Sequence, residues 1–283
     1  MIELPPKSYV DTQILINAAS GKIAESDWHR CARYLKETTR YCVSSLTLME
    51  LLAALARSDE RYFEQHQKRL RILLAPSDNP EVFDFIPYFT AKVLGFQIER
   101  PSHLEDDFLG TVRLILSAPS KASLEGGFSP DFSPDKTARV RLDRLADEVD
   151  RMHLSYIAHM QRLREVEGNS VAPSDWVTSL LGFYGVTNAS EDLKRRTFES
   201  LSASYEFEMS VRNFLRNGNF KIETHTSDLV DGQQLIYLCD SSTIFITDDS
   251  DFKNRVQNSP QASRIKSLSD ILVCERQNAP LTS

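Results

Sequence analysis

Two short apolar runs, one near each end of the chain, lead directly into acidic residues. The run "SYV" at 8–10 precedes Asp11, and the run "TIFIT" at 243–247 precedes Asp248 and Asp249. Each run has the length of a buried strand, and strands alternate with helical patterns at both ends of the chain. Such alternation is typical of an α/β protein with parallel strands. We therefore expect the two ends of the chain to build one parallel sheet together.

The middle of the chain differs in character from its two ends. Residues 117–136 are rich in Ser, Pro and Gly, which predicts a loop, and two long, charged amphipathic helices are predicted after it. The sheet is thus expected to come from residues 1–95 and 220–283, with residues 96–219 as a helical insertion. After the last apolar run, "DDSDFKNR" at 248–255 is predicted to be a polar turn.

Composition excludes some classes of protein and leaves others open. With 283 residues, of which 41% are hydrophobic, the chain has ample material for a core. Its net charge of −7 argues against a nucleic-acid coat that binds by charge alone, but clustered catalytic acids would make a nuclease negative too. No apolar run approaches the roughly 20 residues that span a bilayer, and the cysteines form no C-x-x-C pair. We predict a cytoplasmic protein with reduced thiols and no membrane segment.

Further acids are predicted near one edge of the sheet. Glu50 lies near the start of the helix that follows the predicted strand "YCVSSL". Asp228 and Asp231 open the helix "DLVDGQQLIYL", and their spacing places both carboxylates on one face of its first turn. In an open parallel sheet, ligands bind outside the carboxyl ends of the strands, which is where Asp11 and Asp249 are expected. These acids together predict a carboxylate cluster at that edge.

A carboxylate cluster of this kind is costly without a cation. Carboxylates packed together raise one another's pKa, so some would hold protons at neutral pH. Mg²⁺ or Mn²⁺ removes the repulsion and prefers oxygen ligands. Because a bound metal polarises a phosphoryl oxygen and makes hydroxide from its water, such a site suits phosphodiester hydrolysis.

Three stretches of the chain resemble the motifs of the PIN domain family of metal-dependent ribonucleases. They read "YVDTQILI", "VSSLTLMELL" and "SDLVDGQQLIYLCDSSTIFITDDSDF". In this resemblance Asp11 corresponds to the first acid of the family and Glu50 to its glutamate. Asp231 corresponds to the third acid, and Asp249 corresponds to the fourth by the Thr-x-Asp spacing. Asp228, one helical turn before Asp231, stays a second candidate for the third metal-binding acid.

The resemblance implies a three-layer PIN-like fold, with a central, mostly parallel sheet flanked by helices. It also implies a site for Mg²⁺ or Mn²⁺ among the acids named above, with Asp228 included as a candidate ligand. Thr247 is expected to orient a carboxylate through its hydroxyl. Ser45 or Thr47 is expected to do the same near Glu50.

Residues beside the first and fourth acids complete the expected site. Asp248 occupies the variable place of the Thr-x-Asp pattern, and Asp251 follows shortly after; both are expected to support the fourth acid. The family commonly has Asn two residues after the first acid, where this chain has Gln13. The amide is therefore retained on a longer side chain.

The implied activity is endonucleolytic hydrolysis of RNA. RNA would be the substrate, and by resemblance a homodimer is expected. Two basic patches on helices are candidates for contacts with the RNA backbone, because phosphate recognition needs Lys and Arg near the acids. The residues are Lys68, Arg69, Arg71, Lys194, Arg195 and Arg196.

Other interpretations of the same residues stay open. Asp11 and Asp228 could each cap the helix that follows, and Thr47 with Glu50 fits a capping box. Capping explains each acid separately but not their order along the chain. At the level of the whole protein, the alternatives are an interaction module with little catalysis, or a toxin held inactive by an inhibitory protein partner.

Overall fold

The structure is a computed structural model that describes most of the chain. The described residues are 4–99, 108–124, 138–165, 171–215, 221–225, 227–277 and 281. Most of the loop predicted over 117–136 lies outside them, and within it residues 122–124 form a 3₁₀ helix. No described helix is long and apolar enough to cross a membrane. All four cysteines are free thiols in this structure.

The predicted parallel sheet is confirmed. The described residues form five strands, and every neighbouring pair is parallel. The strands are β1 (Lys7–Val10), β2 (Arg40–Ser44), β3 (Glu81–Phe83), β4 (Thr243–Ile246) and β5 (Ile265–Lys266). Their order across the sheet is β3-β2-β1-β4-β5. The chain thus adds β2 and β3 on one side of β1, and after the helical block it adds β4 and β5 on the other side.

Twelve α-helices surround this sheet within the described residues. In chain order they are α1 (Thr12–Ala19), α2 (Glu25–Thr38), α3 (Ser45–Arg57), α4 (Phe63–Leu74), α5 (Ile86–Leu94), α6 (Phe108–Ser117), α7 (Ala138–Glu165), α8 (Pro173–Phe183), α9 (Glu191–Leu215), α10 (Ser227–Gln234), α11 (Ser250–Arg255) and α12 (Leu268–Gln277). A 3₁₀ helix (Leu235–Cys239) continues α10 toward β4.

Side chains of the strands alternate between two apolar cores, one on each face of the sheet. Tyr9 and Phe245 stack in the first core, with ring centroids 4.7 Å apart. Val10 and Ile246, the next residues along the same strands, lie in the second core. Because helices cover both faces, all four residues of β4 are buried, and so are Ser8, Tyr9 and Val10 of β1.

The helices of the predicted insertion, 96–219, are built into these two cores. α7 contributes Leu142 and Val149 to the second core and Met160 to the first. α9 contributes Phe207 to the first core. These helices therefore share apolar contacts with the sheet rather than enclosing only a core of their own. The domain boundaries at 95 and 220 stay a prediction.

Two elements differ from the sequence-based expectation. The stretch 248–255 contains α11 instead of a polar turn, because the side chain of Asp249 accepts hydrogen bonds from Asp251 N and Phe252 N, and Phe252 is buried. β3 was not expected as a strand. It has three residues, and its first, Glu81, is exposed. So short a strand contains too little alternation to be recognised.

The strand order reverses between β1 and β4. β2 and β3 lie on one side of this pair and β5 lies on the other. Val10 pairs with Ile246 at the carboxyl ends of the two strands. In open parallel sheets, the crevice at such a reversal is where ligands bind. Asp11 and Thr247 are the residues that follow β1 and β4 at this point.

Candidate functional site

Asp11 and the segment that carries Asp249 are joined at this crevice by one hydroxyl. The backbone N–H of Asp11 donates to Ile246 O at 2.9 Å and extends the pairing of β1 with β4. Thr247 Oγ1 donates to Asp11 Oδ2 at 2.8 Å and accepts from Asp249 N at 3.1 Å. Thr247 is fully buried. Its side chain therefore ties the first acid to the backbone of the fourth.

Both acids also cap helices. Asp11 is the N-cap of α1, with Oδ1 at 3.4 Å from Gln13 N, which is a long hydrogen bond. Asp249 is the N-cap of α11, and its Oδ1 lies 2.8 Å from Asp251 N and 3.2 Å from Phe252 N. In each case the cap uses one of the two carboxylate oxygens. Capping is therefore compatible with a second role for either side chain.

The two acids that flank Asp249 have different surroundings. Asp248 Oδ1 accepts from Leu268 N at 2.8 Å and so satisfies a backbone donor in the first turn of α12. Asp251 is exposed, and it contacts the fourth acid through its backbone N–H. Asp248 thus holds α12 against the segment that carries the fourth acid, and Asp251 completes the cap of α11.

Glu50 reaches the site from α3. The N-cap of this helix is Ser44, whose Oγ accepts from Leu46 N at 3.1 Å, so the capping-box interpretation with Thr47 as N-cap is wrong. Glu50 Oε2 accepts a 2.6 Å hydrogen bond from Thr12 Oγ1. Thr12 is the first residue of α1. Glu50 therefore lies at the start of that helix, beside the first acid.

Ser45 and Thr47 were expected to orient the glutamate, but their hydroxyls bond elsewhere. Ser45 Oγ lies 2.9 Å from Tyr237 Oη. Thr47 Oγ1 accepts from Gln234 Nε2 at 3.1 Å, deep in the protein. The hydroxyl that holds the glutamate belongs instead to Thr12, which sequence reasoning missed. Its position directly after the first acid was the one signal in the sequence.

Asp228 on α10 is balanced by positive charge. Its carboxylate pairs with Arg255 Nη1 at 3.3 Å and lies 3.8 Å from His225 Nδ1. Burial raises the pKa of Asp228, and Arg255 and His225 oppose that rise. Arg255 is the last residue of α11, the helix that Asp249 caps. No motif in the sequence pointed to it.

Asp231, one helical turn later, lies among carboxylates. Within the described residues it has no ion pair. Burial and the charges of Asp11, Glu50, Asp228 and Asp249 raise the pKa of Asp231 to about 8. The charges of all four other acids of the cluster thus act on Asp231. This favours Asp231 over Asp228 as the third acid.

Burial also raises the pKa of two other acids of the cluster. It raises the pKa of Glu50 to about 7, with the hydrogen bond from Thr12 lowering it and the charge of Asp11 raising it. It raises the pKa of Asp11 as well, against the hydrogen bond from Thr247. At neutral pH the cluster therefore retains protons, and cation binding would have to displace them.

The ligand atoms of these acids are of the type that a hard divalent cation prefers, but their side chains are not positioned to coordinate one. Carboxylate oxygens are the ligands that Mg²⁺ and Mn²⁺ prefer, and Asp228 Oδ2 is buried without a hydrogen-bond partner. However, no group of three or more His, Cys, Asp or Glu side chains in the described part of the chain is placed to hold a metal ion. The five acids therefore form an electrostatic cluster rather than a finished coordination shell.

The basic patch on α9 is neutralised by acids of its own helix. Lys194 pairs with Glu191 at 2.7 Å, and Arg195 and Arg196 both pair with Asp192, at 2.7 and 3.0 Å. These side chains have little free charge for a phosphate.

The basic residues on α4 make weaker contacts with neighbouring side chains. Lys68 and Arg71 are exposed, and Arg71 Nη2 lies 3.5 Å from Gln67 Oε1. Arg69 is half-buried and lies 3.5 Å from His66 Nδ1. Of the six residues expected to contact RNA, Lys68 and Arg71 are the ones whose charge faces solvent most freely.

Comparisons of the chain with models of protein families, with curated proteins and with solved structures found no match. The resemblance to PIN domains and the homodimer that it implies therefore stay predictions. What the fold adds is the placement of the predicted acids, from four separate parts of the chain, around the reversal point of the sheet.

Proposed function

We propose that this protein is a divalent-metal-dependent endoribonuclease that hydrolyses RNA phosphodiester bonds at the carboxylate cluster. The observation that carries the proposal is the convergence of the predicted acids at the reversal point of the sheet, where Thr247 joins Asp11 to the backbone of Asp249 and Thr12 holds Glu50 beside Asp11. Asp231 is buried with them, and their charges raise its pKa to about 8. These acids come from the end of β1, from α3, from α10 and from the start of α11. Repelling charges gathered at a ligand-binding edge are what a divalent cation stabilises.

Two kinds of side chain have different roles at this site: acids that would bind the metal, and threonines that orient the acids. The acids that would hold Mg²⁺ or Mn²⁺ are Asp11, Glu50, Asp231 and Asp249. The metal would supply a Lewis acid for the phosphoryl oxygen and a hydroxide for attack on phosphorus. Thr247 and Thr12 hold one oxygen each of the first two acids and so orient them. RNA as the substrate is supported by the resemblance of the acidic motifs to those of PIN domains.

A cleavage assay tests the proposal. A panel of single-stranded and structured RNAs is incubated with Mg²⁺, Mn²⁺ or a chelator, using the wild type and Asp231→Asn. We expect cleavage that needs metal and that is lost in the variant. Asp78→Asn is the control, because Asp78 is exposed and precedes β3, at the opposite edge of the sheet. Cleavage that resists the chelator, or no cleavage of any RNA with either metal, would contradict the proposal.

A second candidate function is an interaction module with little catalysis. It is favoured by the lack, among the described residues, of three side chains placed to hold a metal ion. Calorimetric titration with Mn²⁺ separates the two candidates. The nuclease proposal expects binding that strengthens from about pH 6 to 8, because the pKa of Glu50 is raised to about 7 and its proton must leave. No binding across that range favours the interaction module.

Removal of the Thr12 hydroxyl is expected to weaken metal binding without removing a ligand. In Thr12→Val, Glu50 loses the hydrogen bond that lowers its pKa. The pH at which Mn²⁺ binds should therefore move upward, and affinity at pH 7 should fall about 10–100-fold. Thr12→Ser keeps the hydroxyl and should restore both quantities. Full binding in Thr12→Val with a loss in Thr12→Ser would mean that the methyl group, and not the hydrogen bond, is what the site needs.

A further inference from the structure

A cavity of about 860 Å³ lies beside the carboxylate cluster. Its walls come from α3, α5, α7, α8, α9 and α10. Most of the lining is apolar or aromatic and includes Tyr156, Trp176, Tyr184 and Phe207. A cavity of this size and character matches the sites that proteins use for small organic ligands.

Four buried polar atoms in the cavity wall have no hydrogen-bond partner in the described part of the chain. They are Tyr156 Oη, Ser204 Oγ, Asp228 Oδ2 and Gln233 Oε1. Ser204 and Asp228 are each only 7% exposed. Buried polar atoms without partners are unfavourable and rare. Four of them around one cavity point to a ligand that supplies the missing hydrogen bonds.

The chemistry of these atoms restricts the ligand. All four can accept hydrogen bonds, and the oxygens of Asp228 and Gln233 can only accept. The oxygens of Asp228 and Gln233 therefore need hydrogen-bond donors on the ligand, and flat apolar faces would pack against Trp176 and Phe207. An acyl chain would leave the four atoms unpaired. A planar heterocycle with an amino group meets both requirements.

Arg144 supplies a free positive charge among the residues that line the cavity. It is exposed on α7 and has no ion pair or hydrogen bond within the described residues. Two other arginines of the lining are engaged, since Arg141 donates to Thr111 Oγ1 at 3.3 Å and Arg151 pairs with Glu148 at 2.5 Å. Arg144 is thus available for a phosphate group.

The cavity and the carboxylate cluster share α10 as a wall. Asp228 and Gly232 line the cavity, and Asp231, between them on the same helix, belongs to the cluster. Gly232 makes room at this wall, because a Cβ there would lie 3.1 Å from the ring of Phe207. A strand whose phosphate lies at the acids therefore passes directly beside the cavity.

We infer that this cavity binds one base of the RNA strand, with the base between the aromatic side chains and a phosphate at Arg144. The ligand class is a nucleoside phosphate whose base carries an exocyclic amino group: guanine, adenine or cytosine. That the base belongs to RNA rests on the proposed ribonuclease function. Binding in the cavity itself requires no metal.

Trp176 makes the binding measurable. The chain has two tryptophans, and the other, Trp28, is 2% exposed in the second core. In Trp28→Phe, titration with GMP, AMP or CMP in chelator should quench the fluorescence of Trp176. UMP, whose base lacks the amino group, should bind at least about 10-fold more weakly. Calorimetry on the unmodified chain gives the same comparison if Trp28→Phe does not fold. No binding of any nucleotide, or equal binding of UMP, would overturn the inference.

Single hydroxyl deletions test the cavity wall. Tyr156→Phe and Ser204→Ala should each weaken nucleotide binding about 3–10-fold, and because each removes a buried hydroxyl without a partner, the unfolding midpoint should stay the same or rise. Thr197→Val is the matched control: Thr197 lies on α9 with Ser204, its buried Oγ1 is also unpartnered, and it is outside the cavity lining. Equal weakening in the control would overturn the inference.

Further experiments test the phosphate contact and distinguish the base site from the nuclease activity. Arg144→Ala should weaken the binding of nucleotides and leave that of nucleosides unchanged; an equal effect on both would remove the phosphate from the assignment. Nucleotide binding without any metal-dependent cleavage would reject the nuclease and keep the base site. Cleavage that is unchanged in Tyr156→Phe and Ser204→Ala, with no base preference beside the cut, would reject the base site and keep the nuclease.

Discussion

Replacement of Asp11 by asparagine is expected to lower metal-dependent RNA cleavage at least about 1000-fold. The change removes a charged ligand of the proposed metal. Loss of a group that only orients a ligand typically lowers metal affinity or activity about 10–100-fold, and loss of the ligand itself should cost more. The fold should survive, because the asparagine oxygen can still accept from Gln13 N, while its amide nitrogen lies against Thr247 Oγ1, a hydroxyl that can accept as well as donate. Cleavage rates with Mg²⁺ and Mn²⁺, together with thermal unfolding of both proteins, give the comparison.

The control for this experiment is again Asp78→Asn, which makes the same chemical change at the opposite edge of the sheet. It should cleave at the wild-type rate. A variant Asp11→Asn that retains cleavage within about tenfold of the wild type would show that the reaction occurs elsewhere, whatever the metal dependence. A variant that no longer folds would be replaced by Asp231→Asn, which leaves the strand ends untouched.

The metal-free protein is expected to lose stability as the pH rises from about 4.5 to 8. The pKa of Glu50 is raised to about 7 and that of Asp231 to about 8, chiefly by burial. Between the unfolded and the folded pKa, the folded state binds more protons than the unfolded state, so the free energy of unfolding falls with increasing pH. The rise for Glu50 alone corresponds to about 3 kcal/mol. Urea unfolding at pH 5 and pH 8 in chelator measures the difference.

Two variations show whether the cluster causes this loss. Asp231→Asn should flatten the pH dependence and raise stability at pH 8, because a neutral amide replaces the acid that repels all the others. Asp78→Asn should leave the dependence unchanged. Mn²⁺ at pH 8 should restore stability to the wild type and have little effect on Asp231→Asn. An identical pH dependence in wild type and Asp231→Asn would refute the coupling between these acids.

Much of the fold could be predicted from the sequence because its strands are buried on both faces. "SYV" and "TIFIT" are continuous apolar runs for that reason, and the acids after them fall at one edge because parallel strands share their carboxyl ends. β3 could not be predicted, since three residues beginning with an exposed Glu81 form no pattern. α11 could not be predicted because its start depends on a cap geometry at Asp249 rather than on composition.

Part of the candidate site could likewise be predicted from the sequence, and part could not. The order of Asp11, Glu50, Asp231 and Asp249 along the chain, and the element on which each lies, followed from local patterns. The partners of these acids did not. Thr12, rather than Thr47, holds the glutamate because α3 begins one turn earlier than a capping box would place it, at Ser44, which turns the hydroxyl of Thr47 into the interior.

The sequence by itself determined which residue types stand at the ends of which elements, because strand burial and helix periodicity are encoded within a few neighbouring positions. Only the tertiary structure decided the electrostatics and the cavity. Whether Asp231 or Asp228 is the more perturbed acid depends on Arg255, which lies 27 positions beyond Asp228 and pairs with it through space. The cavity requires six helices to pack around a shared volume, and its unpaired oxygens become exceptional only once those helices have excluded water from them.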